Sequence, residues 1–172
     1  MLNLKAKIEK KQASVILQKP SNFLFRKREI KLTELIFLPY YLFEVKVVFS
    51  NNLEMRKLVC VDGIEGEYAF IENPKILDNG VRNNENILDL KIDKEKARDI
   101  AQRTVKDVIL MRMKKGIVIS EITTQYLYML NYPYWIGLYR KKRGVEFDAI
   151  DALTGQKQGI RMRPVLLKQV IK

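Results

Sequence analysis

Two stretches of this chain follow one pattern. The first reads Leu38-Pro39-Tyr40-Tyr41-Leu42-Phe43-Glu44-Val45 and then Val61-Asp62-Gly63-Ile64-Glu65-Gly66. The second reads Tyr132-Pro133-Tyr134-Trp135-Ile136-Gly137-Leu138-Tyr139 and then Ile150-Asp151-Ala152-Leu153-Thr154-Gly155. The Pro-Tyr-aromatic triplets lie 94 residues apart (133 − 39) and the aspartates of the Asp-x-x-x-Gly turns 89 apart (151 − 62). Self-similarity at a long period constrains a fold more than composition does. It predicts an α+β protein of two αβββ units, each a helix packed on an antiparallel sheet, related by an internal pseudo-twofold.

Local signals fill in this plan. Apolar positions at Leu4, Ile8, Ala13 and Val15 predict a helix over residues 4–18, ended by Pro20. Alternation follows from Ile30 to Phe37 and again from Tyr40 to Ser50, with Asn51-Asn52 as a hairpin turn and 53–61 returning. Tyr68–Ile71 reads as a short further strand. Residues 73–91 carry Pro74, Asp78-Asn79-Gly80 and an asparagine cluster, which is loop chemistry. Ala97, Ile100, Ala101, Thr104, Val105, Val108 and Met111 fall on one 3.6-residue stripe, predicting a helix from Asp93 to about Lys114, capped by Asp93 and ended at Gly116. That stripe is expected to bury Ile100, Val105 and Val108 against the strands that follow it, 117–129, 134–140 and 145–152. The division is then 1–72 for the first unit, 73–92 for a linker, 93–160 for the second unit and 161–172 for a basic amphipathic tail.

Charge and chemistry narrow the function. The chain carries +12, with eight basic groups and one acid in residues 1–28, five basic groups and no acid in 152–172, and ten acids against six bases in 62–99. There is no histidine, so a Ser-His or Cys-His dyad cannot form and the commonest metal ligand is missing. No phosphate-cradling glycine loop appears. Cys60 is alone, which excludes an internal disulfide, fits a reducing compartment and reads as a small buried hydrophobe. No apolar run approaches the roughly 18–20 residues that span a bilayer, and the first residues lack the apolar stretch of a signal peptide. A cytoplasmic, non-enzymatic protein is the expectation, with no cofactor and no metal.

Three groups of side chains are candidates for a site. Tyr40, Tyr41, Tyr134 and Trp135 could line a groove shared by the two units, or form core. Arg140, Lys141, Lys142 and Arg143 at a hairpin tip, with Arg161 and Arg163, could meet an anionic partner, or be solvated surface. Asp62, Glu65 and Glu67, and Glu146, Asp148 and Asp151, could be paired acidic sites; the simpler reading gives each aspartate to its turn, where it accepts backbone N–H bonds.

Residues 93–158 resemble a PepSY-type domain. The resemblance rests on Lys94-Glu95-Lys96-Ala97-Arg98-Asp99-Ile100-Ala101 as the helix opening, on Tyr134–Arg140 as the central strand, and on Phe147-Asp148-Ala149-Ile150-Asp151-Ala152-Leu153-Thr154-Gly155 as the closing strand and turn. The first unit keeps only Asp62-Gly63-Ile64-Glu65-Gly66. The resemblance implies one helix on an antiparallel sheet and a non-catalytic module, one that binds or inhibits peptidases; the strong positive charge and the missing export signal depart from that role. The leading expectation is therefore a protein- or peptide-binding or assembly module, with sheet edges available for homo-oligomers, and the alternative is a nucleic-acid binder using the basic surface.

Overall fold

The two prolines lie inside long strands. In the computed structural model, which describes residues 2–19, 29–72, 80–81, 87–112, 118–141 and 144–158, the elements are β1 (Leu2–Leu4), α1 (Lys10–Gln18), β2 (Ile30–Phe49), β3 (Glu54–Asp62), β4 (Tyr68–Phe70), β5 (Gly80–Val81), α2 (Lys94–Arg112), β6 (Ile119–Lys141) and β7 (Gly144–Asp151). Pro39 sits one residue ahead of the β2–β3 ladder, which runs from Tyr40↔Asp62 to Val48↔Glu54. Pro133 sits one residue ahead of the β6–β7 ladder, from Tyr134↔Asp151 to Lys141↔Gly144. Proline has no N–H to give, so it is tolerated where the antiparallel partner runs out. Each still accepts a bond: Gly63 N–H donates to the Pro39 carbonyl at 2.8 Å, and Ala152 N–H to the Pro133 carbonyl at 3.1 Å.

That continuity overturns the expected pair of αβββ units. The strands join one mixed sheet with hydrogen-bonded order β4-β3-β2-β6-β1-β5, and β7 pairs with β6 off that path. Strand accounts for 52% of the described residues, beside two helices, and no pseudo-twofold pair of three-stranded sheets is formed. Alternation fixes which face a side chain takes, not which strand lies beside it. Reading Pro39 and Pro133 as strand boundaries cut β2 and β6 in two and hid that each is a single long strand.

The chain divides into two compact units that share these long strands. The first holds β2 from Pro39 onward, β3, β4, α2 and β6 as far as Asn131. Its core joins Tyr41, Phe43, Val45, Val47, Val59 and Val61 to Ala97, Ala101, Val105 and Ile109 of α2, with Ile119, Ile122, Tyr126 and Met129 of β6 partly buried against them. Each fully buried Val or Phe here contributes roughly 1.5–3 kcal/mol. The expectation that α2 packs on the strands after it is therefore corrected: β2 and β3 supply much of its seat. The stripe is corrected too. Val105 and Ile109 are buried, Ile100 and Val108 only partly, and Met111 is 85% exposed. The buried face drifts around α2 toward Ile109 as the helix proceeds. Lys96 N–H donates to the Asp93 carboxylate at 2.8 Å, so the expected cap is present.

The second unit holds α1, β2 as far as Leu38, β6 from Tyr132, and β7, with β1 from Asn3 and β5. The helix expected over 4–18 occupies only Lys10–Gln18, because Leu2–Leu4 is a strand paired with β5. Ala13 and Leu17 of α1 are buried with Trp135, Ile150 and Ala152. Gly137 makes room for this: a Cβ there would stand 3.1 Å from Leu17 Cδ1.

Candidate binding groove

The aspartate turns come first, because they decide the fate of the repeated motifs. Asp62 is 1% exposed. Its Oδ1 accepts the N–H groups of Ile64 and Glu65, each at 2.8 Å, and its Oδ2 accepts that of Glu67 at 2.6 Å. Asp151 Oδ1 accepts Leu153 and Thr154 N–H at 2.7 and 3.1 Å, while its Oδ2 takes the Tyr132 hydroxyl at 2.9 Å. Both carboxylates organise their turns. Gly66 and Gly155 end them at φ 81° and 76°, a conformation glycine adopts without strain. Among the described residues no cluster of three or more Asp, Glu or Cys side chains is placed to hold a metal ion.

The aromatic candidates are placed separately. Tyr41 is buried in the core under α2, and its hydroxyl donates to the Ile92 carbonyl at 2.9 Å. Burial pushes its phenol upward from its ordinary value, with the nearby Tyr126 and Asp93 adding to the shift. Trp135 is buried in the core under α1, and its indole N–H donates to the Ile8 carbonyl at 2.7 Å. Tyr134 is also buried and stacks at 5.2 Å from Tyr132, whereas Tyr40 is partly exposed. Tyr41 and Trp135 thus act as clasps that hold the chain leading into each helix. Arg140 and Lys141 close β6, but their side chains, together with Lys142, Arg143, Arg161 and Arg163, lie outside the described residues.

A groove of about 630 Å³ opens elsewhere, within the first unit. Its floor is Met55 and Lys57 of β3 with Phe70 of β4. One wall is the last two turns of α2, through Val105, Val108, Ile109 and Arg112. The hairpin tip closes one end with Phe49, Asn51 and Leu53, and Ile71 and Glu72 complete the rim. Val105 and Ile109 of this wall belong to the buried face of α2, and Phe70 packs against the same core. Leu53 remains 62% exposed and Tyr68 49%. The size falls in the roughly 300–1,000 Å³ range of ligand pockets, and the mix of apolar wall with few charges is the usual composition of one. Sequence reasoning missed this site. Val108 and Met111 read as core, and nothing in Tyr68–Ile71 says that the strand stays at the edge of a sheet.

No family model, no curated protein and no solved structure matches this chain. Among the described residues no helix is long and apolar enough to cross a membrane.

Proposed function

We propose that this chain is a non-enzymatic binding module that takes a protein or peptide segment in the groove beside α2. The groove itself carries the reading: eight apolar side chains line it, Leu53 among them largely exposed, and Tyr68 leaves further apolar surface in solvent nearby. Exposed apolar surface rimmed by charge is characteristic of interaction sites. The PepSY resemblance of residues 93–158 supports the same class, and the lack of histidine fits a role without acid–base chemistry.

Peptides selected from a random display library on the whole chain should bind it and lose about tenfold or more in affinity against Val108→Asp, a change of roughly 1.4 kcal/mol or more. Val108 is only partly buried, so the variant keeps its melting behaviour. Selected peptides that bind both proteins equally would remove the groove from consideration. Submicromolar binding to DNA or RNA at physiological salt, weakening steeply as salt rises, would install the nucleic-acid reading instead.

A further inference from the structure

The backbone along the outer side of β4 is what the groove reading leaves unused. β4 ends the hydrogen-bonded path of the sheet, and no described strand lies beyond it. Its register with β3 is Val59↔Phe70, Cys60↔Ala69 and Val61↔Tyr68. Asp62 N–H donates to the Glu67 carbonyl at 2.8 Å, and Ile71 N–H to the Leu58 carbonyl at 3.0 Å. Antiparallel ladders alternate, so Glu67, Ala69 and Ile71 direct their backbone groups to β3. Tyr68 and Phe70 therefore point theirs away, onto the open edge. The Tyr68 and Phe70 rings meet edge to face at 6.0 Å on one face of the strand, and Phe70 is part of the groove.

Charge says what kind of chain would lie there. Lys57 and Arg112 line the groove, and neither forms an ion pair among the described residues. Glu72 is the single acid among the described lining residues, against the two cations Lys57 and Arg112. A second copy would bring another chain of net charge +12 against these cations. A segment bearing an acidic residue is complementary to them.

We infer that the occupant is an extended, apolar peptide with an acidic residue, added as a strand along the free edge of β4. This rests on the reading of the groove as a peptide site. The backbone of the peptide pairs with the outward N–H and C=O groups of Tyr68 and Phe70. Its side chains alternate, so every second one enters the groove between β4 and α2, and the acidic one reaches Arg112.

The probe is a labelled decapeptide alternating valine and threonine with one glutamate, titrated into the whole chain. Amide exchange read by NMR should slow about tenfold or more at Tyr68 and Phe70 as new hydrogen bonds form, while Ala69, already bonded to Cys60, changes little. N-methylation of one alternate set of peptide amides should cost about tenfold in affinity, and of the other set little. A lysine in place of the glutamate should weaken binding to the native chain, and Arg112→Glu should reverse that preference. Display-selected peptides that occupy the groove without slowing exchange at Tyr68 and Phe70 would overturn strand addition and leave the peptide-binding reading standing. If no peptide, selected or designed, binds, both readings fall. Concentration-dependent self-association that blocks the same amides would assign the edge to a second copy and overturn the inference.

Discussion

The turn at Asp62 and the turn at Asp151 share a backbone scheme and their Oδ1 bonds, and differ in Oδ2 partner and in contents. In each, the residue after the aspartate gives its N–H to a proline carbonyl and accepts, at its own carbonyl, the chain that leads into a helix. Lys91 and Ile92 donate to Gly63 at 2.7 and 2.9 Å, while Lys7 and Ile8 both donate to Ala152 at 2.9 Å. An aromatic ring on the neighbouring strand then clasps the same lead-in, Tyr41 on Ile92 and Trp135 on Ile8. Further out the sizes are exchanged. Three residues past Tyr40 stands Phe43, and α2 brings Ala101 into that core; three residues past Tyr134 stands Gly137, against which α1 lays Leu17. One volume is divided as large strand with small helix in one place, and small strand with large helix in the other. The hydrogen-bonded corner is what the two regions hold in common; packing is where each is free to differ.

The volume exchange offers the largest effect. Phe43→Ala should cost about 3–5 kcal/mol by cavity formation, whereas Gly137→Ala should cost about 1–3 kcal/mol by crowding Leu17. Denaturant unfolding checks both. Adding Leu17→Ala should recover part of the Gly137→Ala loss, and strict additivity of the two would break the argument that Leu17 fills that space. Next come the aspartates. Asp62→Ala strands the buried Ile64 N–H and two part-buried ones and should cost about 3 kcal/mol, against about 1 kcal/mol for Asp151→Ala, whose partners are part-buried or exposed. Equal losses would show that burial does not separate the two turns.

The smallest effect concerns Cys60, which stands where β7 has Ala149, two residues before the turn aspartate. Burial pushes the Cys60 thiol up to about 12. Its folded value lies above the ordinary thiol range near about 8.5, so its contribution is fully present below that pH and is lost as pH rises toward 12. Cys60→Ala should cost about 1 kcal/mol at neutral pH and flatten the decline of stability above about pH 9. An unchanged alkaline limb would show that the thiol does not carry it.

What the sequence made legible is local. Asp93 at the head of α2, the Asn51-Asn52 hairpin and both aspartate turns follow from residues that act on their immediate neighbours. What it hid depends on partners far away. Pro39 and Pro133 looked like strand starts because a missing N–H is a local fact, while the carbonyl bonds that let the strand continue come from Gly63 and Ala152. Val108 and Met111 share the stripe of Ala97, but where α2 drifts on the sheet is decided by β2 and β3. The groove needs that drift and the edge position of β4 together, and neither is written in any short stretch of sequence.

The long strands set the order in which a newly made chain can be completed. Every part of the seat of α2, from Tyr41 to Met129, is synthesised before Trp135 is added. α1 is made well before Trp135, Ile150 and Ala152, the buried residues on which it packs. Ala13 and Leu17 therefore wait for their buried partners until those later residues are made. A released chain ending just before residue 135 would hold every core residue of the seat of α2 and none of Trp135, Ile150 and Ala152, on which α1 packs.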